Sequence, residues 1–376
     1  MKNSDELSLF QCPFSLVYLP QLKMVPGKGA PPDVLGILEK DNNGDLLWTW
    51  TYPSIEKELK ELLMKKCPLA CGIDGTPFVY GQFNKSWYHF ITVKISENSK
   101  LPMVTAISLV IISKNFNPEL CNAVGTVFLK SYLKSGTPTS TLTGFLTLYT
   151  KGFVEDDSTG AIVTSKDFDP RNALLKICLK EVIQLFGVEA ILIYAALLLK
   201  KRVVVFSNKI DTLLHVCRTL PALVWHRQDW SIVSPFTSFD DAEINELKRR
   251  PTFVAGFIDP TVEERTDLYD IFVNLQDGEI TINPDAKEYF QMGKLHKEIA
   301  VSLVEAANDE DVTDQQVVKL LAGKTKDIIS NLKSLGINED GVEAGITLET
   351  IKSRNFSAVM QNFLLHLAFA ENLVKN

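Results

Sequence analysis

The chain has 376 residues, too many for one hydrophobic core, and reads as two or three packed units of about 100–200 residues each. Hydrophobic residues make up 45% and charged residues 23%, with 20 Gly and 17 Pro, a globular composition that excludes a collagenous or largely disordered chain. A net charge of −7 argues against nonspecific binding to nucleic acid or anionic lipid, so no nucleic-acid partner is expected.

Residues 1–33 hold Pro20, Pro26, Gly27, Gly29, Pro31 and Pro32 and no sustained period, apart from one short strand at Phe14–Leu19. From Val34 the pattern sharpens. Leu35–Lys40 and Asp45–Tyr52 flank Asn43-Gly44, which suits a tight hairpin turn. Leu59, Leu62 and Leu63 recur at helical spacing within Ser54–Lys66, and strands are predicted at Phe78–Phe83, Trp87–Ile95 and Val104–Ser113. A helix over Pro118–Lys134, with Pro at its first turn, completes a small antiparallel sheet packed by helices in residues 34–150.

Residues 151–166 break the periodicity with Gly152, Glu155-Asp156-Asp157 and Gly160 and read as an interdomain linker. Residues 167–284 then alternate: helices at Asn172–Phe186, Val188–Lys200 and Ile210–Leu220, and strands at Arg202–Ser207, Trp230–Phe236, Thr252–Ile258 and Tyr269–Leu275. This is an α/β layered domain. Asp277-Gly278, between Phe272–Leu275 and Glu279–Ile282, is a hairpin turn. Residues 285–376 are helical, at Lys287–Asn308, Gln315–Leu335 and Phe356–Lys375, the last with a stripe of Phe356, Val359, Phe363, Leu367, Ala370 and Val374 that predicts docking on the body. The fold class is α/β, α+β over the whole chain.

Six cysteines at 12, 67, 71, 121, 178 and 217 form no close-spaced framework, and the chain opens without an apolar signal segment. The expectation is a cytosolic protein with free thiols, in which the sequons at Asn84 and Asn355 carry no glycan. The longest apolar run, Ala190–Leu199, is half the ~20 residues a bilayer-crossing helix needs and reads as a buried helix.

Catalytic chemistry finds little support. Cys67-x3-Cys71 lacks a second ligand pair, and the histidines at 89, 215, 226, 296 and 366 are widely spaced. No nucleophile elbow, paired-His helix or P-loop occurs, so no catalytic residue, metal or cofactor is expected. The densest aromatic and charged segment is Trp225-His226-Arg227-Gln228-Asp229-Trp230. Core packing is favoured for both tryptophans, while His226, Arg227, Gln228 and Asp229 are the candidate partner contacts. Lys200-Lys201-Arg202 ends the apolar helix, where cations offset the helix dipole; Lys200 and Lys201 are the alternative contacts for a phosphate or an acidic partner. Trp48 and Trp50 alternate along one strand and are expected on one face, in the core.

With these segments in place, the chain resembles the DENN domain family, whose members are guanine-nucleotide exchange factors for Rab GTPases. Pro77-Phe78-Val79-Tyr80-Gly81, Tyr88–Thr92 and Leu109–Lys114 resemble its upstream, longin-like module. More specific are Lys201–Ser207 after an apolar helix, Leu220-Pro221 with Trp225, Pro251–Gly256 and Ile271–Leu275, in the family's order and spacing. Thr219–Trp230, Asp267–Asn274 and Met292–Glu298 are close to one short member. The family usually carries an acid where Asn274 stands, and residues 1–33 have no counterpart. The resemblance implies a longin-like sheet with helices, then an α/β DENN domain, then a helical subdomain. It also implies release of GDP from a Rab of the late-endosomal or secretory branch, by displacing its switch regions without covalent chemistry. The short member further implies recruitment to late endosomes and association with the Commander recycling assembly. A scaffold that kept the fold without exchange activity is the alternative; a hydrolase on an α/β fold lacks every motif it would need.

Overall fold

The computed structural model describes residues 32–73, 75–95, 100–336 and 345–374. The short strand expected at Phe14–Leu19 and most of the leader lie outside them.

Strands β1 (Val34–Asp41) and β2 (Leu46–Tyr52) form the expected hairpin. Its turn is tied by the Asp41 carboxylate, which accepts the N–H groups of Asn43 (2.8 Å) and Asp45 (2.9 Å), while Gly44 takes a φ of +91° that a side chain would resist. After α1 (Lys57–Lys66) and the short α2 (Pro68–Cys71) come β3 (Phe78–Phe83), β4 (Ser86–Lys94) and β5 (Val104–Ser113). The sheet is antiparallel throughout, in the order β2-β1-β5-β4-β3. Helix α3 (Pro118–Ser135) covers one face. Its start is set by Asn117, whose side chain accepts the Leu120 N–H, and by Pro118 at the first position; Gly136 ends it at φ +72°. A second helix, α4 (Pro138–Lys151), lies on α3.

The tryptophan expectation fails for a local reason. Ile37 pairs with Trp50 but the next residue, Leu38, pairs with Trp48, so Thr49 is an extra residue on β2. Such a bulge breaks the period of two. Trp50 packs with the α3 side of the sheet and Trp48 with the opposite side, both only half-buried.

Residues 151–166, read as a linker, hold a small hairpin, β6 (Phe153–Glu155) and β7 (Ile162–Thr164), against α4. The apolar stretch Pro170–Leu198 follows. By length and composition it would suit a membrane span, yet it is broken into α5 (Pro170–Leu175), α6 (Leu179–Phe186), a 3-10 turn at Gly187–Glu189 and α7 (Ala190–Leu198). The first break replaces the single helix expected over Asn172–Phe186; there the Cys178 N–H donates to the Thr219 hydroxyl (3.0 Å). Strand β8 (Arg202–Phe206), α8 (Ile210–Thr219), β9 (Val233–Thr237), α9 (Asp241–Lys248), β10 (Phe253–Phe257), β11 (Ile271–Asn274) and β12 (Glu279–Ile282) build a second sheet, ordered β12-β11-β8-β10-β9. All its pairs are parallel except β11–β12. The central strand carries Val203, Val204 and Val205, each fully buried, as a strand covered on both faces requires.

The C-terminal region is α10 (Lys294–Asn308), α11 (Asp314–Ser334), α12 (Leu348–Lys352) and α13 (Ala358–Ala370). Phe363 and Leu367 of the expected stripe are buried, whereas Phe356 precedes α13 and is 36% exposed. One continuous core joins a face of the first sheet, α6–α8, the second sheet and the terminal helices. Smaller cores lie under α3 and on the outer face of the second sheet.

Candidate functional site

The two sheets meet edge to edge, with β3 beside β9. Tyr88 donates its hydroxyl to the Phe236 carbonyl (3.2 Å), and Tyr80 donates to the Leu214 carbonyl (3.3 Å). Arg250 reaches from below β10 to the side chains of Gln82 (3.0 Å) and Ser234 (2.8 Å). At the centre Lys66, from the end of α1, pairs with Glu243 of α9 at 2.8 Å, with both side chains almost wholly buried. Its ammonium also donates to the Phe236 carbonyl and lies over the Phe236 ring; burial pushes its pKa down, against the pull of Glu243. Lys66 extends the stripe Leu59, Leu62, Leu63 at helical spacing, a sign in the sequence that this cation faces inward.

A cleft of about 340 Å³ opens at this junction. Phe78 and Tyr80 of β3 form one wall, Leu214 and Arg218 of α8 the other, and Glu119 and Lys176 close its ends. Arg218 is held by Glu119 (2.8 Å) and donates to the Ala173 carbonyl, so α3, α5 and α8 converge on one guanidinium. Lys176, His215 and Asp211 stand at the exposed mouth, giving a cleft with an aromatic wall, a mostly polar lining and a rim of mixed charge. Arg218 amid Leu213, Leu214, Val216 and Cys217 was the available signal, because an arginine buried on an apolar helix needs a partner.

The segment expected to contact partners is placed differently. Trp230 is buried and donates its indole N–H to the Arg218 carbonyl (2.8 Å); Trp225 is half-buried and meets it edge-on at 6.0 Å. His226 and Arg227 turn inward, contrary to expectation. Both bind Glu371, just beyond α13, at 3.0 and 2.5 Å, and Arg227 also donates to the last carbonyls of α7, Leu197 and Leu198, at 2.6 Å each. The Leu197 carbonyl also accepts the Lys200 N–H (3.1 Å), and the Arg227 guanidinium, not a lysine side chain, adds to the C-terminal end of α7. Burial raises the Glu371 pKa, but the hydrogen bonds and charge of His226 and Arg227 outweigh it and hold the carboxyl at about 2. Gln228 and Asp229 are exposed, and Asp229 ties its own turn by accepting from Ser231. Lys200 and Lys201 are half-buried, each with its pKa lowered chiefly by burial, and the Lys201 ammonium lies 3.0 Å from the centre of the Tyr289 ring. Arg202 pairs with Asp270 (2.9 Å). The six predicted residues therefore form no single exposed surface. Among the described residues no three His, Cys, Asp or Glu side chains converge as a metal site would require.

The family described as "SPA: Stabilization of polarity axis" matches residues 178–284, from the start of α6 through β12. Relatives cover most of the chain. A Danio rerio protein named DENN domain-containing protein 10 is 46% identical over 344 residues, covering 91% of this chain and 97% of the relative. The chain belongs to the DENN domain family. Proteins of the same name from Homo sapiens (40% over 346 residues, 91% and 96% covered) and Dictyostelium discoideum (34% over 357 residues, 91% and 97%) extend the similarity across distant organisms. The antiparallel sheet, the mostly parallel sheet and the terminal helices are thus the DENN fold of this chain, and the cleft lies where its two sheets meet.

Proposed function

We propose that this DENN protein is a guanine-nucleotide exchange factor for a Rab GTPase of the late-endosomal or secretory branch, acting in late-endosome trafficking from the cytoplasm. The observation that carries the reading is the junction cleft, in a chain that is a family member over 91% of its length. Exchange needs no bond to be made or broken. It needs a surface that binds the switch loops in a shape incompatible with GDP and Mg²⁺, and a concave site built from two modules offers contacts on two sides. By linkage, a protein that lowers nucleotide affinity binds the nucleotide-free GTPase more tightly than the GDP form.

The test is release of fluorescent GDP from a panel of purified Rabs, at fixed free Mg²⁺, with the wild-type chain and with Lys176→Glu at the exposed mouth of the cleft. Acceleration for one branch of the panel, lost with Lys176→Glu at unchanged melting temperature, supports the reading; equal binding to all nucleotide states across the panel removes it. A second reading, a DENN-fold scaffold without exchange activity that docks the coiled-coil subunits of a Commander-type assembly, draws on a different feature. A groove of about 470 Å³ lies between α10, α11 and α13, with Phe356 exposed at its edge. Under that reading, changes in this groove abolish assembly while no Rab responds.

A further inference from the structure

β2 is the outermost strand of the first sheet, paired on one side only among the described residues. Its outer row of main-chain N–H and C=O groups is a template for another strand, and proteins ordinarily guard such edges with charge or proline. This strand, Leu-Leu-Trp-Thr-Trp-Thr-Tyr, carries neither within its length; its guards among the described residues are the bulge at Thr49, the Lys60 ammonium over the opposite-face Trp48 (5.6 Å) and Pro53 just past its end. Beside it, Trp50 stacks on Tyr52 (6.5 Å), Tyr52 meets Phe145 edge-on (6.1 Å) and Phe145 lies against Tyr149 (6.0 Å), so ring contacts through the buried Phe145 tie the exposed Tyr52 of β2 to the exposed Tyr149 of α4. Tyr52, Leu146 and Tyr149 are 41%, 42% and 56% exposed. Across the whole of β2 and α4 the single charged residue is Lys151, in a chain where 23% of residues are charged.

We propose that the β2 edge and the adjoining face of α4 dock an extended, uncharged peptide segment of a partner protein. The segment adds as a sixth strand and lays alternate apolar or aromatic side chains on Trp50, Tyr52 and Tyr149. The main-chain groups of β2 left unpaired among the described residues select a strand over a helix, since a helix has already satisfied its own. The neutral surface selects a neutral segment, because a charge brought against it loses hydration without gaining a partner. A second copy of the chain fits less well. Seven residues at about 3.3 Å each give a strip of about 23 Å by about 10 Å, or roughly 230 Å², far below the roughly 800 Å² per partner that stable dimers bury. This site is separate from the junction cleft and does not depend on the exchange reading.

The experiment selects heptapeptides from a random phage-displayed library on the full-length protein and synthesises the strongest binders. The expected result is peptides free of Asp, Glu, Lys and Arg that slow amide hydrogen exchange at residues 46–52. Their affinity should fall at least tenfold on N-methylation at alternate positions, and at least tenfold toward Leu47→Lys or Tyr149→Ser protein. No enrichment, protection elsewhere, or indifference to N-methylation overturns the proposal. So does a concentration-dependent dimer in sedimentation that Leu47→Lys dissociates, which assigns the edge to a second copy. Should Leu47→Lys fail to fold, the N-methyl series against the wild-type protein still decides.

Discussion

Replacing Lys66 by Met should be among the most damaging single changes in the chain, although it exchanges a polar residue for an apolar one of similar length. The ammonium is 2.8 Å from the Glu243 carboxylate, with 2% and 4% of the two side chains exposed. After Lys66→Met, Glu243 keeps its bonds from the Ser238 N–H (3.0 Å) and hydroxyl (2.5 Å) but loses its counter-charge, and the Phe236 carbonyl loses a donor. Leaving one member of a buried pair uncompensated costs about 3–5 kcal/mol, against a total stability of about 5–15 kcal/mol. At about 2–4 °C per kcal/mol for a domain of 150–250 residues, melting should fall by roughly 6–20 °C. The decisive measurement is a double-mutant cycle by chemical denaturation. In Lys66→Met/Glu243→Gln the carboxamide oxygen still accepts from Ser238 but carries no charge, so the double variant should be more stable than Lys66→Met alone, with a coupling above about 1.5 kcal/mol. A Lys66→Met cost under about 1 kcal/mol, or strictly additive singles, would refute the claim that this pair clamps the two sheets together.

Three further outcomes follow from buried groups. His89 is wholly buried and stacks on Phe78, its ring nitrogens make no hydrogen bond of ordinary geometry, and burial drives its pKa down to about 3, with the backbone of Ile111 pulling weakly the other way. Between about pH 6.5 and 3 the unfolded chain binds a proton that the folded one refuses, so stability declines as pH falls through that window; His89→Leu should be within about 1 kcal/mol of wild type at pH 7.5 and more stable at pH 5, as denaturant titrations at the two pH values will show. For Glu371 the folded pKa of about 2 lies below the ordinary 4.5, so its contribution, on the order of 3 kcal/mol, is present above pH 4.5 and lost as pH falls toward 2; Glu371→Gln should flatten that part of the curve. Gly256 lies where β10 passes the Pro235 carbonyl of β9, with a side-chain methyl sterically excluded, and Gly256→Ala should cost about 1–3 kcal/mol in thermal melts.

Much of the architecture was legible in the chain because local periodicity and turn chemistry are short-range. Asn43-Gly44 marked the first hairpin, Pro118 at a first turn opened the helix over Pro118–Lys134, and Arg202–Ser207 read as a strand of an α/β layer. Helix α9 escaped notice, since Asp241–Lys248 is largely polar and its start rests on an Asp240 cap. Tertiary structure alone decided which side chains meet. His226 and Arg227 look like surface residues in sequence, yet Glu371, more than 140 positions away, draws both inward, and Arg227 also meets the last carbonyls of α7. One extra residue at Thr49 sends Trp48 and Trp50 to opposite faces. The junction cleft is the fullest case: Phe78, Glu119, Lys176 and Arg218 come from four separate segments, and of these only Arg218, on an apolar helix, stands out in its own window. Hydrophobic pattern fixes which face of an element is buried, but not which neighbour it is buried against. That choice belongs to the packing of the two sheets, where a buried cation such as Lys66 or Arg218 finds its acid only after the chain has closed on itself.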